Sequence, residues 1–148
     1  MRHVITKLGA LAAVAALAVT GTPAAQAAQH RAEDAAYFEF TDITRETGVV
    51  KLTDPGQIAH ARALLAGETS DQPHIYGRLV KRSAPYNPRW SFHYDPATVQ
   101  FFNAAIEVCD ATMPYVEDHL DEAGGAFLPG GLWCPWTSRL VKEVTLRA

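Results

Sequence analysis

Long apolar runs are almost absent from this chain of 148 residues, and the one present lies at its start. Leu8–Val19 is twelve residues of small and aliphatic character, preceded by Arg2 and Lys7 and followed by Gly21 and Pro23. A bilayer core needs about 20 such residues, which argues against the competing reading of a transmembrane anchor. Ala25-Gln26-Ala27 places small residues where a signal peptidase reads them, and residues 1–27 read as a secretory signal. Basic runs are missing too. Beyond residue 27, eleven Lys and Arg face sixteen Asp and Glu, a net charge of −5. Arg78, Lys81 and Arg82 are the one basic grouping, which argues against a nucleic-acid partner. With the signal removed, nothing is left to hold the chain in a membrane, so the expected localisation is secreted.

Cysteine is equally scarce. Cys109 and Cys134 are the two in the chain, without Cys-x-x-Cys spacing and without a nearby His pair, which makes a poor zinc site. No Asp-rich calcium loop is present. His119 and Glu122 could share a metal only if another element donated ligands. No metal and no cofactor is therefore expected. In an exported chain such a pair forms a disulfide. The closed loop contributes about 3 kcal/mol in the chain-entropy model. Low-complexity linkers and internal repeats are lacking as well, so the remainder reads as one domain, residues 37–148, behind a flexible arm at residues 28–36.

What is there alternates between strand and helix signals. Tyr37–Phe40 and Val49–Leu52, separated by a turn-rich stretch, predict a β-hairpin. Asp54-Pro55-Gly56-Gln57 opens a helix by capping chemistry, with Ile58, Ala61 and Leu65 facing inward and Gly67 as the stop. Ile75–Lys81 and Trp90–Tyr94 read as strands around a loop containing Pro85 and Pro88. Asp95-Pro96 predicts a short helix to Phe102, and Ala105–Cys109 alternates as a strand would. Thr112 opens a third helix through Ala123, with Met113, Val116 and Leu120 inward. Ala126–Trp136 reads as a loop, and Leu140–Leu146 as a last strand. The fold class is α+β: a single compact domain, largely antiparallel sheet, about three helices and one disulfide.

Two segments carry candidate chemistry. Tyr86-Asn87-Pro88-Arg89-Trp90-Ser91-Phe92-His93-Tyr94-Asp95 is dense in polar and aromatic side chains. A hydrolase would use His93 as base with Asp95 fixing its tautomer, Ser91 or water attacking, and Glu107 or Glu117 assisting. Ser91 lacks the Gly-flanked turn of a hydrolase nucleophile, however, and Asp95 is explained as a helix cap. Trp133-Cys134-Pro135-Trp136 sets two indoles around the disulfide. Rigid aromatics suit a binding surface, while indoles beside a disulfide equally serve to cover a core. The expected function is thus a non-enzymatic binding module for a protein partner. Its surface would be formed by Trp133, Trp136, Tyr86, Asn87, Trp90 and His93. A protease inhibitor presenting Leu128–Trp136 is the alternative, and the small hydrolase using His93 and Asp95 is the second.

Tyr37-Phe38-Glu39-Phe40, Leu52-Thr53-Asp54-Pro55, Ala61–Leu65 with Gly67, Trp90-Ser91-Phe92-His93, Ile106–Asp110 and Trp133-Cys134-Pro135-Trp136 stand in a pattern that resembles a known family. It comprises small secreted actinobacterial proteins described as calmodulin-binding, related to the N-terminal domain of a slime-mould calmodulin-binding protein. The resemblance runs from Tyr37 to about Leu140. It implies a calmodulin partner and supplies no catalytic residues. Gly48 stands where similar chains carry a bulky apolar residue, which predicts a loosened first hairpin.

Overall fold

The computed structural model describes residues 35–105 and 107–146. The expected signal, residues 1–27, and nearly all of the arm fall outside them. The first strand begins at Ala36, one residue before the expected Tyr37, and Ala36 is buried.

A first sheet forms from β1 (Ala36–Thr41), β2 (Thr47–Leu52) and β9 (Arg139–Val144), in the order β2-β1-β9 and antiparallel throughout. Strict alternation sends Phe38, Phe40, Val50 and Leu52 into the core, as period-two patterning requires. Asp42 closes the hairpin. Its buried carboxylate accepts from the Thr44 N–H at 2.9 Å and from the Met113 N–H at 2.7 Å, tying the turn to a helix far along the chain. Gly48 does not loosen this hairpin. A Cβ there would stand 3.1 Å from the Phe40 ring and 3.2 Å from the Met113 sulfur, so neighbouring side chains fill the space.

Helix α1 (Pro55–Ala66) forms as the sequence predicts. Asp54 Oδ1 accepts from the Gln57 N–H at 2.9 Å, Pro55 sits in the first turn, and Gly67 ends the helix at φ 73. Ile58 and Ala61 are buried, and Leu64 and Leu65 pack against the same core.

The second sheet is organised by β3 (His74–Val80), which pairs antiparallel with β4 (His93–Tyr94), β5 (Gln100–Phe102) and β8 (Leu132–Trp133). Two expectations fail between β4 and the following helix. Residues after Asp95-Pro96 do not form a helix: Asp95 Oδ1 caps the Ala97 N–H at 3.1 Å, but the segment turns and enters β5 instead. Gln-Phe-Phe gains more by placing Phe101 and Phe102 on opposite faces of a sheet, both 6% exposed, than by adding one helical turn. The expected strand at Ala105–Cys109 is a 3-10 turn over Glu107–Cys109 with Glu107 exposed. Among the described residues there are therefore two α-helices and this turn, rather than about three helices.

Helix α2 (Met113–Asp118) is half its expected length. Met113 and Val116 are fully buried as expected, while Thr112 contributes no side-chain cap bond. The expected loop at residues 126–136 contains β7 (Phe127–Pro129), which pairs in parallel with β6 (Ala123–Gly124), and then β8. Gly130 and Gly131 both take left-handed conformations, at φ 65 and φ 72, which lets the chain reverse between them.

The main core lies between the two sheets under α1 and α2, with aromatic rings at its centre. Trp133 stacks on Tyr94 at 4.7 Å and meets Phe92 edge-on at 5.4 Å. A smaller cluster of Phe102, Cys109 and Cys134 lies apart from it, with Tyr76, Leu132 and Trp136 packed around.

Candidate functional site

The two segments singled out in the sequence have different fates. Trp133 is 1% exposed and its indole N–H donates to the Ala111 carbonyl at 2.8 Å. It is a core residue and offers nothing to a ligand. Trp136 is half-buried over the disulfide cluster, and its indole nitrogen is buried without an acceptor. Cys109 and Cys134 are joined, with Cα atoms 5.1 Å apart, and the Cys134 N–H donates to the Cys109 carbonyl at 2.8 Å.

The Tyr86–Trp90 loop folds back onto the outer edge of β2. Asn87 Oδ1 accepts from the Val49 N–H at 2.9 Å, and its amide nitrogen donates to the Phe92 carbonyl at 3.2 Å. The Trp90 indole donates to the Thr47 carbonyl at 2.9 Å. Arg89 pairs with Glu46 across the same contact. These side chains thus satisfy the main-chain groups of an edge strand, a device against edge-to-edge pairing. Asn87 and Trp90 are buried in doing so, at 5% and 6% exposure. Tyr86 is half-buried between Tyr37 and His93, at ring separations of 5.2 Å and 5.9 Å. Burial, then Tyr37 and Asp95, push its phenol up to about 12.

His93 is buried and its Nδ1 donates to the Arg82 carbonyl at 2.7 Å. Asp95 caps Ala97, Glu117 accepts from the Ser91 N–H at 3.0 Å, and Glu107 is exposed on the 3-10 turn. Each of these polar groups is held by a different segment of backbone or by solvent. Leu128, at the head of the segment considered for protease inhibition, is fully buried at φ 47.

A third region, which the sequence reading missed, has the shape of a site. A groove of about 510 Å³ lies beside the disulfide, bordered by Gln72, Tyr76, Gln100, Phe102, Asn103 and Leu132. Alternation along β3 explains it. Ile75 and Gly77 face the core, so His74, Tyr76 and Arg78 stand on the other face. Phe102 and Leu132 share that outer face, whereas Phe101 and Trp133 face the core. The Tyr76 hydroxyl donates to Gln100 Oε1, and both side chains border the groove. Gln72 takes a left-handed conformation at φ 47, a strain of about 1–3 kcal/mol for a residue other than glycine. It persists because both its main-chain groups are held: its N–H donates to Asn103 Oδ1 at 2.7 Å and its carbonyl accepts from His60 Nε2 at 3.2 Å.

The main chain of β5 also meets this groove. On β3, the Ile75 N–H reaches Ser138 Oγ at 3.0 Å and the Leu79 N–H reaches the Gly131 carbonyl at 2.8 Å. Arg78 turns the opposite way, donating to Thr98 Oγ1 and accepting from the Asp95 N–H, each at 2.8 Å. Main-chain groups alternate along a strand, so His74 and Tyr76 direct theirs toward their partners Phe102 and Gln100. The N–H and C=O of Phe101 therefore point away from β3. No strand pairs with β5 on that side among the described residues. Phe101 borders the groove, whose walls on Tyr76, Leu132 and Cys134 lie on the β3 side of β5, so the free outer edge of β5 adjoins the groove at its margin.

The family model for the N-terminal domain of calmodulin-binding protein 74 matches residues 34–147, the whole of this architecture. The chain belongs to that N-terminal domain family. The match bears out the resemblance drawn from the hairpin, the Asp54-Pro55 helix start and the Trp-Cys-Pro-Trp motif. Comparison with curated proteins and with solved structures returned no match. Within this family domain, the motif's two indoles divide between core and disulfide cluster, and no helix described is long and apolar enough to cross a membrane.

Proposed function

We propose that this family domain is a secreted, non-enzymatic binding module that takes a protein partner in the groove beside Cys109–Cys134. One observation carries the reading: the groove joins a half-exposed aromatic, a strained Gln72 and an unpaired strand edge around a rigid disulfide. Pockets with an apolar floor and a few placed polar groups are where ligands are held. Secretion is supported by the residue 1–27 pattern and by the disulfide, which is at home in an oxidising compartment. The catalytic inventory supports a binder over a hydrolase, since His93, Asp95, Glu107 and Glu117 are directed to separate neighbours.

The calmodulin association of the family does not supply the partner chemistry. A calmodulin target is a basic amphipathic helix. Here α1 carries Arg62 as its one Lys or Arg, and α2, Met113–Asp118, carries none.

The test is retention of a protein from culture filtrate by the purified, oxidised chain, run beside Ala105→Trp. Ala105 borders the groove and packs, partly exposed, against the disulfide cluster, so a tryptophan there projects into the groove, and retention is compared only in variant protein whose far-ultraviolet spectrum matches wild type. Retention by wild type and loss in the folded variant is the expected result. Equal retention by both places the binding surface elsewhere and overturns this reading.

A further inference from the structure

We infer that the partner supplies an extended, uncharged peptide segment, laid along the free edge of β5 as an added strand with one side chain turned over Gln100 and Phe102 into the groove. This rests on the binding reading above and names its chemistry. Two independent observations select that occupant. The first is the outward main chain of Phe101, one donor and one acceptor on the edge adjoining the groove, with no partner among the described residues. Main-chain pairing on a free sheet edge is how extended peptides are captured, and a saccharide or a charged small molecule makes no special use of it. The second is charge. Among the described residues bordering the groove, not one is Asp, Glu, Lys, Arg or His, in a chain that is 20% charged. A neutral wall gives a charged side chain no counter-ion for the desolvation it suffers on entry.

The flanking groups complete the fit. Gln100 and Gln72 offer carboxamides, which match peptide N–H and C=O groups in both donor and acceptor sense. Phe102 and Gln100 flank the side chain that turns toward the groove, with Tyr76 on β3 and Leu132 on β8 lying beyond them, while the next residue along the added strand turns the other way. The β5 edge is three residues, about 10 Å long. It suits a short segment and gives the main chain of Phe101 the central place.

The contrast with β2 strengthens the case. That strand's outward groups are taken by Asn87 and Trp90, so one edge is closed by the domain's own side chains while, among the described residues, this one is left open beside a cavity.

The experiment uses an array of N-acetylated, C-amidated octapeptides probed with the oxidised full chain, beside an array of neutral oligosaccharides. Selected peptides should lack charge at their central positions. N-methylation of the central residue that pairs with Phe101 should weaken binding at least tenfold, while N-methylation of its immediate neighbours should leave it within about twofold. Gln100→Glu, an exposed change that puts charge into the neutral wall, should weaken the same peptides at least tenfold with the far-ultraviolet spectrum unchanged. Binding that ignores N-methylation, or no selected peptide from folded protein, overturns strand addition. Should oligosaccharides be retained instead, and lost in Ala105→Trp, the peptide inference falls while the groove remains the binding site. Protein capture that persists equally in Ala105→Trp removes the groove itself, so the two failures are told apart.

Discussion

Strands β2 and β5 both lie at the margin of a sheet, and the chain treats them in opposite ways. Along β2, a loop rich in aromatic and polar residues folds back so that an amide oxygen takes the Val49 N–H and an indole serves the Thr47 carbonyl. Along β5, Phe101 keeps its outward main-chain groups beside an open groove. The comparison teaches that conspicuous composition does not by itself mark an open strand edge. The loop that reads as a recognition element is a cover, and the strand that reads as nothing in particular is the accessible edge. An edge needs covering wherever it would otherwise template association, so an uncovered one beside a cavity is informative.

The comparison can be tested by disturbing what the two margins share and then each in turn. Trp133 serves both, since it meets Phe92 beside the covering loop and pairs through β8 with β3, the strand that also carries β5 on its other edge. Trp133→Ala should lower stability by about 3–5 kcal/mol, as large-to-small changes of buried aromatics do. A denaturant titration that shows a loss of less than about 1 kcal/mol would contradict its place in the core. Removing the disulfide as Cys109→Ser, Cys134→Ser should cost about 3 kcal/mol. It should abolish peptide binding at the groove while Val49 amide exchange, referenced to global stability, stays protected. Asn87→Ala uncovers β2. It should cost about 1–3 kcal/mol through the unpaired Val49 N–H, speed exchange at that amide, and produce concentration-dependent self-association in sedimentation. Peptide binding should survive, and its loss would show that the margins are not independent.

The smallest effect concerns pH. Tyr86 titrates near 12 when folded and near 10 when unfolded, because burial resists its charged form. Below pH 10 both states hold the proton and the phenol has no influence. Between about pH 10 and 12 the unfolded chain releases it while the folded chain retains it, so stability falls as pH rises. Tyr86→Phe should flatten part of this decline in denaturation midpoints measured from about pH 9 to 12. Some slope should remain, because burial also raises the phenol of Tyr94, followed in effect by the charge of Asp42.

Much of the fold is written in local chemistry. Alternation at Tyr37–Phe40 and the Asp54-Pro55 helix start announce β1 and α1, because both signals act within a few residues. The pairing of the two cysteines follows from their number. Asp95-Pro96 misleads for the same reason: its capping chemistry is real at Ala97, but pairing with β3 decides what Gln100–Phe102 become. The last segment is misread because Gly130 and Gly131 mark a reversal without showing which strand β8 joins. The groove was legible only in part. Tyr76 off the core-facing register of β3 is a signal visible in the sequence, but the unpaired main chain of Phe101 exists only once the register between β3 and β5 is known.

Strand β1 lies between β2 and β9. The first strand of the domain is thus flanked on one side by its immediate successor and on the other by the final one, with Thr41 opposite Arg139. The early hairpin can form as soon as residue 52 is available, yet one side of β1 stays bare until the last strand arrives. Such distant closure makes for slow, late consolidation. Shortening the chain before residue 139 would leave the opening strand exposed along its length, turning a loss at one terminus into an aggregation hazard at the other.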